Sequence, residues 1–273
     1  MPPAPSRLVL LGHPVAHSLS PAFQTAALRA AGIDATYEAM DVGASAFADV
    51  LRGLARLGAA GNVTVPHKER AAEVCDRLTP LAERVGAVNT WWVDDAGALV
   101  GDNTDVGGFD AAARALRERP WSNCRVALVG AGGSAAAALA AMERWPACYV
   151  AVWNRSAERA RALETRFRGV AHAVPTLADA IARADLVVNA TPLGLSDADD
   201  LPVPVIALPK RAAVLDLVYR RGGTAWVRQA RLRKHRAMDG LAMLIEQGAL
   251  AFERWFGAAP DREAMWAAVG GRP

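Results

Sequence analysis

Arg125 to Ala135, RVALVGAGGSA, limits the possible folds more than any other stretch of the chain. Arg125 to Val129 reads as a buried strand. Gly130, Gly132 and Ala135 follow in the spacing G-x-G-x-x-A, and an alanine-rich helix opens at once over Ser134 to Met142. Strand, Gly-rich turn and helix in that order are the context a dinucleotide fingerprint requires. The first glycine permits the tight turn, the second lets backbone approach a pyrophosphate, and the small third residue lets helix and strand pack closely. The N–H groups and dipole at the helix start favour phosphate charge. A plain strand–helix turn has the same spacing, but the flanking apolar strand and helix favour nucleotide binding.

The rest of the chain must accommodate such a unit. Its 273 residues suit one large or two medium domains, and 52% apolar residues supply ample core. A net charge of +3 argues against a dedicated nucleic-acid binder, which concentrates basic charge on one face. Cys75, Cys124 and Cys148 are odd in number and widely spaced, with no CxxC pair and no zinc pattern. Three reduced thiols in a cytoplasmic protein are expected, and no metal site. The N-terminus has no signal-peptide pattern. No apolar stretch reaches the roughly 18 residues that span a bilayer, so no membrane partner is expected.

Before the fingerprint, strands and helices alternate, the mark of an α/β domain with its own sheet. Ser20 before Pro21 predicts a helix start with Ser20 as N-cap, which puts the hydroxyls of Ser18 and Ser20 where an anion binds well. Asn62, Thr64 and Lys68 crowd a strand end, where ligand groups gather in open sheets. A helix is predicted over Lys68 to Arg77, and a hairpin turn at Asp94 to Gly97. Two Asp, an Asn and a Thr lie within Asp102 to Asp105, ahead of a helix from about Val106. Pro120 to Asn123 is read as a hinge.

Beyond the fingerprint, the next strand ends in Asn154, Arg155 and Ser156. An NAD-binding fold usually carries an acid there; a cation suits a 2′-phosphate, so NADP is favoured. The next apolar strand ends in TPLGL, residues 191 to 195, and Ser196 to Pro204 reads as an exposed loop. Trp226 to Arg236 reads as a solvated basic helix. Met243, Gln247 and Ala251 share one helix face, and the Gln247 amide there needs a partner, either a ligand hydroxyl or a backbone carbonyl.

Taken in order, GHPVAHSLSP, NVTVPHKE, GAVNT, GDNTDVGGF, GAGGSA, NRS, NATPLGL, DLVY and DGLAMLIEQGALAF closely resemble the shikimate dehydrogenase family over Leu8 to Phe256. The resemblance implies an α/β chain of two domains: an N-terminal substrate domain with its own open sheet (1–104 plus 239–273) and a Rossmann-type NADP domain (105–238). The family reaction is the reversible, NADPH-dependent reduction of 3-dehydroshikimate to shikimate. Matched by motif, Lys68 and Asp105 form the catalytic pair, and Ser18 and Ser20 hold the substrate carboxylate. Thr64, Asn89 and Gln247 bond its hydroxyls, and Asn62 and Tyr219 line the pocket. NADP is expected on Gly130, Ala131, Gly132, Gly133, Ser134 and Ala135, on Asn154, Arg155 and Ser156, and on Thr191, Pro192, Leu217, Gly240 and Met243. His13, Gln24, Thr25 and Leu195 depart from common family residues, none at an implied catalytic position. A monomer or homodimer is expected. The rivals are a broader quinate/shikimate enzyme and a catalytically silent nucleotide-binding relative.

Overall fold

The computed structural model describes residues 4–117, 119–196 and 198–271. It has two compact units, Met1–Gly108 with Leu244–Pro273, and Phe109–Met243.

The first unit is built on a mixed six-stranded sheet. In chain order its elements are β1 (Arg7–Gly12), α1 (Ser20–Ala30), β2 (Thr36–Asp41), α2 (Phe47–Arg56), β3 (Ala60–Val63), α3 (Lys68–Val74), β4 (Arg77–Leu78), α4 (Pro80–Val85), β5 (Thr90–Val93), β6 (Leu99–Asp102) and α5 (Asp105–Ala115). The chain leaves this unit within α5. The sheet order is β2-β1-β3-β5-β6-β4. β1 lies parallel to β2 and β3; β5 runs antiparallel to both β3 and β6. α2 places Phe47, Leu51 and Leu54 at helical spacing on one face, where they join Val9, Leu11, Val63 and Trp91 in the core.

Tertiary pairing shortens the helix expected over Lys68 to Arg77. It stops at Val74 and Cys75 is extended. The Asp76 carboxylate accepts a bond from the Leu99 N–H at 2.9 Å, and Arg77–Leu78 pairs parallel with β6. The Asp94 turn forms as expected, its Oδ1 accepting from the N–H groups of Ala96 and Ala98.

The second unit carries β7 (Arg125–Val129), α6 (Gly133–Met142), β8 (Tyr149–Trp153), α7 (Ala157–Arg166), β9 (Ala171–Ala173), α8 (Leu177–Ile181), β10 (Leu186–Asn189), β11 (Ala213–Asp216), α9 (Ala225–Leu232) and β12 (Ala237–Met238). Its sheet is parallel throughout, in the order β12-β11-β10-β7-β8-β9. The order reverses direction between β7 and β10, the topological switch point where such sheets bind ligands. α6 is buried from Ala135 to Met142, and small side chains let it lie that deep.

Three expectations fail in this unit, one because a sheet edge pairs with the chain and two because side chains pack where the sequence looked loose. The basic helix ends at Leu232, Lys234 adopts φ 64°, and Ala237–Met238 becomes a sixth strand beside β11. The 196–204 segment is not wholly exposed, since Val203 is fully buried among the core residues. Pro120 to Asn123 is no hinge: Trp121 is buried, donates to the Ala113 carbonyl at 2.8 Å and stacks on Trp145.

The chain re-enters the first unit at the start of α10 (Leu241–Phe256) and ends with α11 (Arg262–Ala268). Among the described residues no helix is long and apolar enough to cross a membrane. One close approach within the first sheet is absolute. A Cβ on Gly61, in β3, would lie 1.9 Å from the Val9 carbonyl oxygen of β1. Because that atom is backbone in a central strand, Gly61→Ala is expected to destabilise the chain by at least about 3 kcal/mol, measured as a fall in the urea midpoint, or to prevent folding.

Candidate active site

The polar centre of the first unit is assembled by the ends of β3, β5 and β6 and by α3, α5 and α10. Lys68, at the first position of α3, donates from Nζ to Asp105 Oδ2 at 2.6 Å. Asp105 opens α5, and the two side chains are only 14% and 5% exposed. A charged pair this dry is tolerable only where the remaining lone pairs are also met. Asn89 meets one, donating from Nδ2 to Asp105 Oδ1 at 2.9 Å. The same Nδ2 lies 3.0 Å from Thr104 Oγ1 and 3.1 Å from Gln247 Oε1. An amide nitrogen has two hydrogens, so three acceptors share two donors.

The network continues outward. Asn89 Oδ1 accepts from the Thr104 N–H at 2.7 Å. Asn62 Nδ2 donates to the Asn89 carbonyl and to Thr90 Oγ1, both at 3.0 Å, while Asn62 Oδ1 accepts from the Tyr37 hydroxyl at 2.8 Å. Gln247 Nε2 donates to the Leu244 carbonyl at 2.8 Å. The amide predicted to need a partner thus has a backbone partner on one side and Asn89 on the other. Lys68, Asp105, Asn62, Asn89 and Gln247 therefore form one cluster.

Ser18, Ser20 and Thr64 stand outside these bonds. Ser20 is buried but does not cap α1. The residue before the helix is Leu19, with no side-chain cap. Ser18 takes that part instead, its Oγ accepting from the Ser20 N–H at 3.2 Å. The half-buried Thr64 hydroxyl has no partner among the described residues, and its methyl rests where a Cβ on Gly12 would fall, at 2.4 Å. Gln24 ties α1 to α10, donating from Nε2 to the Gly248 carbonyl at 2.9 Å, one residue after Gln247. His13 Nδ1 lies 2.5 Å from Asp41 Oδ1, and this contact holds the Asp41 carboxyl below its ordinary value.

Sequence reasoning missed the support behind the cluster. Asp102 is 1% exposed and is met on every side: Thr79 Oγ1 at 2.5 Å, the Asn103 N–H at 2.8 Å and Arg254 Nε at 2.7 Å. Two Asp within GDNTD were visible in the sequence; which one faced Lys68 and which faced Arg254 depends on the strand ending at Asp102 and the helix opening at Asp105.

In the second unit the fingerprint has the geometry its spacing predicts. Gly130 has φ 119°, and a Cβ there would lie 2.7 Å from the Ala190 carbonyl oxygen. Packing does not demand glycine at 132, where a Cβ would meet no protein atom within 4 Å. No side chain caps α6 at its N-terminus. Open space beside backbone, at an uncapped helix start, fits a pyrophosphate. Ala131 is buried, Gly133 and Ser134 are half-buried, and Ala135 is fully buried. At the end of β8, Ser156 caps α7 by accepting from the Arg159 N–H, and Asn154 Nδ2 donates to the Ser156 carbonyl at 3.0 Å. Arg155 between them is exposed and has no ion-pair partner among the described residues.

On the other side of the switch point a buried clamp holds two loops. Asn189, the last residue of β10, accepts through Oδ1 from the Thr191 hydroxyl at 2.6 Å and the Thr191 N–H at 3.0 Å. Its Nδ2 donates to the Leu193 carbonyl at 3.0 Å and to Asp216 Oδ1 at 2.8 Å. Asp216, the last residue of β11, also accepts from the Val218 N–H at 3.1 Å and, through Oδ2, from the Thr224 hydroxyl at 2.7 Å. Pro192 is exposed and Thr191, Leu217 and Tyr219 are half-buried on the clamped loops. Gly240 lies against Leu217, whose carbonyl oxygen would be 2.3 Å from a Cβ there, and Met243 is buried. Sequence reading named the loops but not Asn189 or Asp216. Among the described residues no three His, Cys, Asp or Glu side chains are placed to hold a metal ion.

Comparison with known proteins covers most of the chain. Residues 10–91 match the shikimate dehydrogenase substrate-binding domain, 111–194 the shikimate / quinate 5-dehydrogenase domain, and 240–269 the shikimate 5′-dehydrogenase C-terminal domain. A shikimate dehydrogenase (NADP(+)) of Rubrobacter xylanophilus is 44% identical over 270 residues, covering 96% of this chain and 94% of that one. The Aquifex aeolicus shikimate dehydrogenase structure superposes with a TM-score of 0.89 at 31% identity, covering 97% of each chain. A Thermus thermophilus shikimate 5-dehydrogenase, solved with NADP(H) and shikimate, gives 0.85 at 39% identity, over 97% of this chain and 98% of that one.

Burial is the largest influence on Asp216, and it pushes the carboxyl up to about 6 from an ordinary 3.8. Between those values the folded chain holds a proton that the unfolded chain has released. Asp216 therefore favours the fold most below pH 3.8, and that contribution is lost as pH rises through about 6. At neutral pH the buried charge costs about 3 kcal/mol. Asp216→Asn keeps an acceptor for Asn189 and Val218 without the charge. Its urea midpoint is expected to exceed that of the parent at pH 7 and to match it near pH 4.

Proposed function

The chain belongs to the shikimate dehydrogenase family, and from that membership we propose that it catalyses the reversible reduction of 3-dehydroshikimate to shikimate with NADPH. The observation that carries the reading is the dry Lys68–Asp105 pair with Asn89 behind it. The reaction is 3-dehydroshikimate plus NADPH and a proton giving shikimate and NADP. When bound, the nicotinamide supplies or accepts the hydride. Everything else falls to the side chains.

Reduction of the ketone leaves negative charge on its oxygen. A lysine carries an ammonium at neutral pH, and Lys68 Nζ stabilises that charge and provides the proton path. Asp105 orients the ammonium through the 2.6 Å contact. In the oxidative direction the same pair takes the hydroxyl proton. Asn89 has more acceptors in reach than hydrogens to give, so a substrate hydroxyl can take over one contact without orphaning a buried group. Gln247 and Thr64 bond further hydroxyls, Ser18 and Ser20 hold the carboxylate, and Asn62 and Tyr219 line the pocket. The first unit thus serves the substrate.

The second unit serves NADP. The uncapped α6 takes the pyrophosphate at Gly130 to Ala135. Asn154, Arg155 and Ser156 take the 2′-phosphate, and Thr191, Pro192, Leu217, Gly240 and Met243 take the nicotinamide end. Three free thiols accord with a cytoplasmic enzyme, which we take to be a monomer or homodimer.

Absorbance at the NADPH band tests the reading, with shikimate or quinate each offered NADP and NAD. Reduction of NADP by shikimate is expected; no turnover with that pair overturns it. Lys68→Ala is expected to lower kcat by about 10²- to 10⁴-fold while NADP affinity, measured by titration, stays unchanged. Arg155→Ala is expected to raise KM for NADP about tenfold, the loss of one charge-assisted bond, and to leave turnover with NAD unaltered.

A further inference from the structure

Cys124 and Cys148, far apart in sequence, meet at the edge of the second sheet remote from the fingerprint. Each immediately precedes a strand, β7 and β8, whose ladder begins with Arg125 opposite Tyr149. Extending that register by one residue sets Cys124 opposite Cys148. Neighbouring strands lie about 4.8 Å apart, within the Cα separation a disulfide spans. The sulfurs are 3.6 Å apart, and both thiols are free.

The backbone around them is fixed from both sides. The Tyr149 N–H donates to the Cys124 carbonyl at 2.9 Å, and the Asn123 N–H to the Pro146 carbonyl at 2.8 Å. Asn123 and Ala147, the residues before each cysteine, have φ of 47° and 51°. Arg125 lies over the Tyr149 ring, which stacks on His172. Cys148 is half-buried and Cys124 buried, so a reagent from solvent reaches the pair through Cys148.

We propose that Cys124 and Cys148 are a dithiol site that reacts with low-molecular-weight disulfides and closes to an intramolecular disulfide without displacing β7 from β8. One protein sulfur, as thiolate, attacks the reagent disulfide, forms a mixed disulfide and expels one reagent thiolate. The second protein sulfur then attacks the protein-bound sulfur, forms the protein S–S bond and expels the other. Two protein thiols are oxidised, one reagent disulfide is reduced to two thiols, and the thiol protons pass to the leaving thiolates. The contact between the sulfurs lowers the Cys124 thiol and, with burial, raises Cys148, so one proton is lost from the pair more readily than from an isolated buried thiol. Cys75 provides an internal contrast. It is a single thiol pushed up to about 12, mainly by burial.

The test treats the reduced full-length chain with oxidised glutathione, then counts thiols after unfolding and maps disulfides by peptide mass spectrometry. The expected product loses two of its three thiols, links Cys124 to Cys148 and keeps Cys75 reduced. Cys124→Ser is expected to leave Cys148 carrying a lasting glutathione adduct, because no second sulfur completes the exchange. The oxidised chain is expected to melt at a higher temperature, since the bond closes residues 125–147 into a loop of the unfolded chain. Retention of all three thiols, a link through Cys75, or adducts without the internal bond in the parent chain would overturn the site. A lower melting temperature would overturn the claim that the bond forms without moving the strands.

Discussion

An ammonium and a carboxylate, 2.6 Å apart and almost out of water, hold the first unit to its purpose. Burying either alone would leave an uncompensated charge, a loss of several kcal/mol. The fold therefore has to deliver both at once, from helices that begin thirty-seven residues apart in sequence. It does so by starting each helix at the residue that matters: Lys68 opens α3 and Asp105 opens α5. Asn89, just ahead of β5, reaches between them because β3, β5 and β6 are neighbours in the sheet. The Asp102–Arg254 pair braces the same place from behind.

The second unit solves a different problem. At its switch point the exposed groups of the Gly-rich turn are backbone, and backbone must be aimed rather than charged. Gly130 passes close under Ala190, and the Asn189–Asp216 clamp fixes the loops leaving β10 and β11. That clamp includes a carboxylate whose ionised form weakens the fold at neutral pH. Two loops pinned by one fully buried group are less free to wander than two loops pinned separately, which is the return on an unfavourable burial.

How much of this was legible depended on the range of the interaction. The fingerprint, the Asp94 turn, and the family motifs with Lys68, Asp105, Asn89 and Gln247 are local patterns, and the sequence displays them. What it hid was decided by partners far along the chain. The α3 helix stops early because Asp76 bonds Leu99. Ala237–Met238 is a strand because β11 offers it an edge. Ser20 looked like a cap, but the turn at Leu19 left Ser18 to accept the bond. Trp121 resembled part of a linker until Trp145 and the Ala113 carbonyl gave it a place. The motif singled out Asp105 of GDNTD, but the role of Asp102 was hidden because its partner, Arg254, lies 152 residues further along the chain.

The first unit is made of both ends of its sequence, with the second unit threaded between them. During synthesis this imposes an order. Residues 109–243 leave the ribosome as a complete sheet while the earlier unit still lacks α10. Lys68, Asp105 and Asn89 are translated before residues 109–243, yet Gln247 and the Gly248 carbonyl that receives Gln24 arrive only after them. The later-encoded unit can therefore mature first, and the polar centre closes after it, when α10 is released.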